Sequence, residues 1–349
     1  MNPFRPSFGI TPAVVAGRDG LVASVGMALR EGPGSPYRFT LISGARGAGK
    51  TVLLNLLESE ATSAGWRVIR VPASQDMLTE LRDVALPRLL RELGHGSQRR
   101  PITGGSIAGI GSLSTRLREA CTELAAAGSG LLLTLDELQS AAPDDLHLLS
   151  DALQDLVRDE LPVAMAVAGL PFEIAELLDL PGTTFLRRAM PIQHGPLPDS
   201  QVADTLQATA RTGGRTFSDA GLRLAVSACR GYAYLIQVIG SIPWVFAEGE
   251  TISEDAVQRA LPQVRERIGM QVHQPALRGL PEREREYLDV MAASGAPTPT
   301  GDIATTMGIP ANQQSTYRRR LIERGLITPS GHGLVDFALP YLGEYLRGH

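Results

Sequence analysis

Eight consecutive residues, Gly44-Ala45-Arg46-Gly47-Ala48-Gly49-Lys50-Thr51, carry the plainest chemistry in the chain. Their spacing is G-x-x-x-x-G-K-[ST], set between an apolar stretch that reads as a strand (Arg38–Ser43) and one that reads as a helix (Thr51 to Ala64). Glycines without a Cβ let backbone N–H groups curl around phosphate oxygens. The helix N-terminus adds positive potential behind them. A lysine ammonium can reach β- and γ-phosphates, and a threonine hydroxyl can ligate Mg²⁺. Lys50 is the single lysine among 33 Lys+Arg residues. Where any cation serves, this chain uses arginine, so position 50 is one that needs a compact ammonium rather than a planar fork.

A second constellation follows the apolar run Leu131–Leu135, which ends in Asp136-Glu137. The bland alternative for an acidic pair at a strand end is a helix N-cap. Beside a phosphate loop the two residues read as a Walker B pair: Asp136 holding Mg²⁺ through water, and Glu137 polarising the attacking water as general base. With one lysine in the chain, no Asn-Lys-x-Asp element for guanine can be built, which favours ATP over GTP. No Leu-Ser-Gly-Gly-Gln signature occurs. The expected cofactors are therefore ATP and Mg²⁺, and the expected reaction is ATP plus water to ADP plus phosphate.

The elements that must position these groups alternate. Strands are expected at Trp66–Val71, Leu131–Leu135 and Pro162–Ala168. Helices are expected at Met77–Leu93, Leu113–Ala127 and Asp144–Asp159, the last capped by Asp144, with an irregular glycine-rich stretch at Gly94–Ser112. Nearly all-apolar strands alternating with helices imply a parallel sheet covered on both faces. After Leu197 only helices are expected, at Ser200–Thr212, Ser218–Cys229, Tyr232–Glu248 and Ser253–Gln271, with Pro243 kinking or splitting the third.

With both motifs placed, the chain resembles the AAA+/STAND-like ATPases that include origin-recognition and replication-initiation proteins and many actinobacterial ATP-binding proteins. Asn2-Pro3-Phe4 and Ala16-Gly17-Arg18-Asp19 are similar to the N-terminal box of that family. The resemblance implies that the backbone at Gly17 and Arg18 contacts adenine. It makes Val163 to Pro171 the sensor 1 strand, Arg187-Arg188 the site of an arginine finger (Arg188 first), and Gly195-Pro196-Leu197 the start of a helical lid. Two departures stand out. The sensor 1 strand ends Ala166-Val167-Ala168-Gly169 without a polar side chain. At the sensor 2 position Gly231 is followed by Tyr232-Ala233-Tyr234 and preceded by Arg230. Both point to slow turnover, which suits a switch better than a motor.

Residues 281–349 read as a winged helix: three helices, then a hairpin at Leu326–Phe337. Ala311–Arg324 is its recognition helix, burying Tyr317, Leu321 and Ile322. Asn312, Gln313, Gln314, Thr316, Arg319 and Arg320 are left to face a partner. Gln313, Gln314, Arg319 and Arg320 are side-chain types that read base edges. Against DNA stands charge: seven arginines and eight acidic residues leave this segment at −1, and phosphate neutralisation dominates affinity.

The whole chain has 349 residues, 43% of them hydrophobic and 20% charged, with a net charge of −4. This is ordinary for a globular protein and excludes a generally basic nucleic-acid binder. No apolar run reaches the roughly 18 residues of a membrane helix, and no signal peptide is visible at the N-terminus. A cytoplasmic protein is expected, with Cys121 and Cys229 buried and reduced. The fold class is α/β: a parallel-sheet P-loop core at 1–196, a helical lid at 197–279 and a winged-helix domain at 280–349. The expected function is an ATP-binding, slowly hydrolysing switch. Its partners are duplex DNA or a separately encoded effector protein, with homo-oligomers formed through the core. The alternative is a non-catalytic regulator, with nucleotide as a structural ligand and the winged helix as a protein-interaction module.

Overall fold

The computed structural model describes residues 1–7, 9–71, 73–94, 112–179 and 184–348. Most of the glycine-rich stretch expected to be irregular, 95–111, lies outside the described residues. The chain divides into two compact units. One comprises Arg18–Gly44 and Lys50–His194. The other comprises Met1–Gly17, Ala45–Gly49 and Gly195–His349.

The first unit is built on five parallel strands: β1 (Phe39–Gly44), β2 (Arg67–Val71), β3 (Leu131–Leu135), β4 (Val163–Gly169) and β5 (Met190–His194). Their order is β2-β3-β4-β1-β5. Its helices are α1 (Asp19–Glu31), α2 (Lys50–Ser63), α3 (Met77–Glu80), α4 (Leu86–Glu92), α5 (Leu113–Ala126), α6 (Pro143–Arg158) and α7 (Pro171–Asp179). Alternation along each strand supplies two cores, because successive side chains leave opposite faces. Val163, Met165 and Val167 of β4 join Leu131, Leu133 and Leu135 of β3 in one cluster with α5 and α6. Ala164, Ala166 and Ala168 face the other way, into a cluster with Leu53, Leu54 and Leu57 of α2. Three alanines in a row on that face give α2, the helix that opens with Lys50, a smooth bed.

Prolines account for the local departures from expectation. α6 begins at Pro143, preceded by Ala142, so Asp144 lies in the first turn and is not the cap. A proline suits the first helical position, where its missing N–H costs nothing. Met77 to Glu92 is helical throughout but widens to a π turn at Leu81–Ala85, just before Pro87. Likewise the helix that opens at Glu254 passes through a π turn at Gly269–His273 just ahead of Pro275, so that it runs beyond the expected Gln271. In both places the wider turn makes room for a ring that would strike the carbonyl four residues back.

The second unit contains α8 (Asp199–Thr212), α9 (Asp219–Cys229), α10 (Ala233–Phe246), α11 (Glu254–Ile268) and α12 (Gln274–Leu277), with a two-stranded pair of β6 (Thr216–Phe217) and β7 (Thr251–Ile252). Pro243 does not split α10, which ends three residues beyond it. Then follow α13 (Glu282–Ser294), β8 (Thr298–Pro299), α14 (Thr300–Met307), α15 (Ala311–Glu323), β9 (Ile327–Pro329), β10 (Leu334–Phe337) and α16 (Leu342–Arg347). The last three strands form a sheet in the order β8-β10-β9. One apolar cluster runs from Phe4 and Val202 through Leu235 and Ile268 to Leu288, Leu321 and Leu346. The helices after Leu197 and the C-terminal module are therefore packed as one body.

Further contacts tie that body together. Arg230 donates to Glu344 at 2.6 Å and lies 3.8 Å over the ring of Tyr341, whose hydroxyl donates to the Ala228 carbonyl at 2.7 Å. The N-terminal strap is fastened to α10: Asn2 donates to the Ser241 carbonyl at 3.1 Å, and the Arg5 amide donates to Gln237 at 3.0 Å. Phe4 is buried edge-on to Phe217 and Trp244. Cys121 and Cys229 are both free and buried; burial pushes the Cys121 thiol up to about 12. Among the described residues no helix is long and apolar enough to cross a membrane.

Candidate functional site

The glycine-rich loop joins the carboxyl end of β1 to the first residue of α2. β1 lies between β4 and β5 in the sheet, and ligands of parallel sheets bind outside the carboxyl ends of strands. Gly47 and Gly49 adopt φ of +72° and +99°, a region that a side chain enters only with strain. The Lys50 ammonium, 8% exposed, donates to the Gly44 carbonyl at 2.9 Å, bridging the mouth of the loop.

Across β4, the carboxyl end of β3 delivers Asp136. The Thr51 hydroxyl donates to Asp136 Oδ2 at 2.5 Å, and the Glu137 amide donates to Oδ1 at 2.9 Å. The two residues expected to serve Mg²⁺ are thus in contact, although 85 positions separate them in sequence. Both offer hard oxygen, the donor type that Mg²⁺ takes. Glu137 is exposed and held in the left-handed region at φ 56°, ψ 54°. For a residue with a Cβ this costs on the order of 1 kcal/mol, and such strain gathers at functional sites.

Other expected residues divide. Gly17, at φ +58°, belongs to the second unit and Arg18 to the first. Burial lowers the pKa of Arg18 from its ordinary value. Arg187 and Arg188 end the 3-10 turn Thr184–Arg188, just before β5. Arg187 is committed, its Nε donating to the Leu178 carbonyl at 3.0 Å, whereas Arg188 is exposed. β4 ends in buried Ala166, Val167 and Ala168 and offers no polar side chain.

On α15, Gln313 and Arg319 are exposed. Gln314 is not: it is buried and donates to the Tyr287 hydroxyl at 2.9 Å, so it cannot read a partner. A helix that packs on α13 must bury one side, and the amide found a phenol there. Arg320 lies 3.6 Å from Glu284, itself 1% exposed, and Arg319 lies 3.5 Å from Glu323.

Two buried carboxylates behind the site went unnoticed in the sequence. Glu58 on α2 accepts from Thr134 of β3 at 2.6 Å and from Arg70 of β2 at 2.6 Å, fixing the loop's helix to the strand that carries Asp136. Thr134, the one polar residue in an apolar strand, was the available signal. Glu173 accepts from the Leu170 amide at 2.5 Å and closes the first turn of α7. A glutamate three residues into a helix that reaches back to the capping amide is half of a capping box.

Residues 14–166 match the family model described as an AAA ATPase domain. Residues 270–346 match a second family model, described as a domain of unknown function, DUF8462. No curated protein matches the sequence. Among solved structures, a Walker-type ATPase of Pyrococcus abyssi is similar with a TM-score of 0.69 at 15% identity, covering 95% of this chain and 96% of that one. The ORC2 protein of Aeropyrum pernix follows at 0.66 and 16%, covering 98% and 96%. Cdc6p from Pyrobaculum aerophilum gives 0.53 and 19%, again covering 98% and 96%. In fold, then, the protein is similar to these Walker-type and ORC/Cdc6 structures. The loop, Thr51 and Asp136 all lie inside the segment that matches the AAA ATPase domain.

Proposed function

We propose that the protein binds ATP with Mg²⁺ and hydrolyses it slowly, as a switch that couples nucleotide state to the C-terminal module. The contact of Thr51 with Asp136 carries this reading. It joins the phosphate loop to the acidic strand end at the one place where a phosphate-bound Mg²⁺ needs both oxygens. Gly44 to Thr51 would hold the phosphates and Glu137 would activate water; by resemblance, the backbone at Gly17 and Arg18 would contact adenine. The ORC2 structure is one of ADPNP and ADP complexes. A specific observation favours the non-catalytic alternative in part. β4 offers no polar side chain at its end, and Arg230 is engaged by Glu344. Turnover is therefore expected to be slow.

The domain boundaries we propose are 1–196 for the core, 197–279 for a lid and 280–349 for a winged helix, the order helix, strand, two helices and hairpin supporting the last. A shared apolar cluster lets the lid carry α15 as a rigid body. With a net of −1 over 281–349, one module would hold DNA weakly and strongly salt-dependently. Mobility-shift titrations of duplex DNA at low and moderate salt, with ATP and with ADP, should show tighter binding with ATP, reduced by Arg319→Ala. No shift at low salt with either nucleotide would assign α15 to a protein partner.

By the same resemblance, Arg188, which is exposed at the end of its turn, would act on a neighbouring copy's γ-phosphate. Turnover per protomer should then rise with protein concentration, and Arg188→Ala should remove the rise while Arg187→Ala leaves it. Turnover independent of concentration in wild type would make the site complete within one chain.

A further inference from the structure

The tip of the phosphate loop, Ala45–Gly49, belongs to the same compact unit as α10, and the residues that open α10 hold it. The Tyr232 hydroxyl donates to the Arg46 carbonyl, and the Tyr234 amide donates to the Gly47 carbonyl at 3.3 Å. Tyr232 is 6% exposed, its ring sealed into the apolar cluster of that unit. A side chain at Gly47 would run into its hydroxyl. Burial raises the Tyr232 pKa well above the ordinary phenol value, so the hydroxyl keeps its proton throughout the neutral range.

Two consecutive carbonyls of the loop therefore have donors supplied from α10. A loop that cradles phosphate turns its amides inward, and the carbonyls between those amides then face outward. Outward carbonyls need partners of their own. A loop whose carbonyls are already satisfied outside has its amides pre-set for an anion, and less ordering is left to pay for on binding. The turn that supplies this clamp stands where arginine would sit by resemblance, and its own arginine, Arg230, points to Glu344 instead.

We propose that Tyr232 is a positioning residue for nucleoside di- and triphosphates, setting the phosphate loop through the Arg46 carbonyl rather than touching the γ-phosphate. The proposal rests on reading Gly44–Thr51 as a nucleotide site. It separates this protein's lid from one that counts phosphates: the clamp acts on the loop, so ADP and ATP gain alike.

Isothermal titration of Tyr232→Phe with ATP–Mg²⁺ and with ADP–Mg²⁺ tests it, alongside the unfolding midpoint without nucleotide. The ring stays and only the hydroxyl goes. We expect affinity for both nucleotides to fall by the same factor, about 3- to 10-fold, the worth of one net hydrogen bond, with an unchanged midpoint. Tyr232→His, which keeps a ring and a donor, should recover part of the loss. Wild-type affinity in Tyr232→Phe would overturn the proposal. A loss confined to ATP would do so too, by making Tyr232 a γ-phosphate reader, as would a loss matched by a lower midpoint, which marks a packing role. Wild type that binds neither nucleotide would remove the nucleotide site itself, and the clamp with it.

Discussion

Lys50→Ala is expected to lose nucleotide binding by about 10²-fold or more. Lys50 is buried at the mouth of the loop, its ammonium donating to the Gly44 carbonyl at 2.9 Å. Charge-assisted hydrogen bonds are worth about 1.5–3 kcal/mol each, and an ammonium facing two phosphates makes at least two. Lys50→Arg is expected to fail as well. A guanidinium is planar and wide, and a loop that closes around a point charge has no slot for a fork. Fluorescent ATP titrated against wild type and both variants measures this directly. Unaltered affinity in Lys50→Ala would mean that the loop is a structural turn.

Much of the site was legible because phosphate chemistry demands residue types at fixed local spacing. Gly44 to Thr51 lie within one turn and one helix start, so the sequence alone places them. Asp136 was legible for another reason: an acidic pair ending an apolar strand, in a chain that also carries a phosphate loop, is the oxygen donor that a phosphate-bound Mg²⁺ needs. The sheet could be read as parallel and doubly covered from Leu131–Leu135 and Val163–Ala168. Its order could not, since that depends on which crossovers pass which strands. What escaped were pairings between distant positions. Gln314 looks exposed on a helical projection, and only the packing of α13 against α15 puts the Tyr287 hydroxyl against it. Glu58 looks like any surface glutamate of α2 until Thr134 and Arg70 are brought to it. Tyr232 sits 186 residues from Arg46; nothing in a tyrosine after a glycine announces a donor for a loop carbonyl.

The sharpest separation of binding from chemistry is expected at Glu137. Glu137→Gln keeps the length and shape of the side chain and removes the base. Its backbone amide, which donates to Asp136 Oδ1, is unaffected, so the Thr51–Asp136 contact and ATP–Mg²⁺ affinity should persist. Turnover should fall by about 10²–10⁴, the usual worth of a positioned general base. The left-handed backbone at Glu137 sharpens the argument. Glutamine tolerates that conformation no better than glutamate, so any loss belongs to the carboxylate and not to relief of strain. Asp136→Asn should behave differently: it removes a charge from the Thr51 side of the site, and the concentration of Mg²⁺ needed for half-maximal turnover should rise. Single-turnover hydrolysis, with binding measured on the same samples, distinguishes the two. Equal turnover in wild type and Glu137→Gln would show that another group, or none, activates the water. Undetectable turnover in wild type, with tight ATP binding retained, would favour the alternative in which nucleotide is a structural ligand.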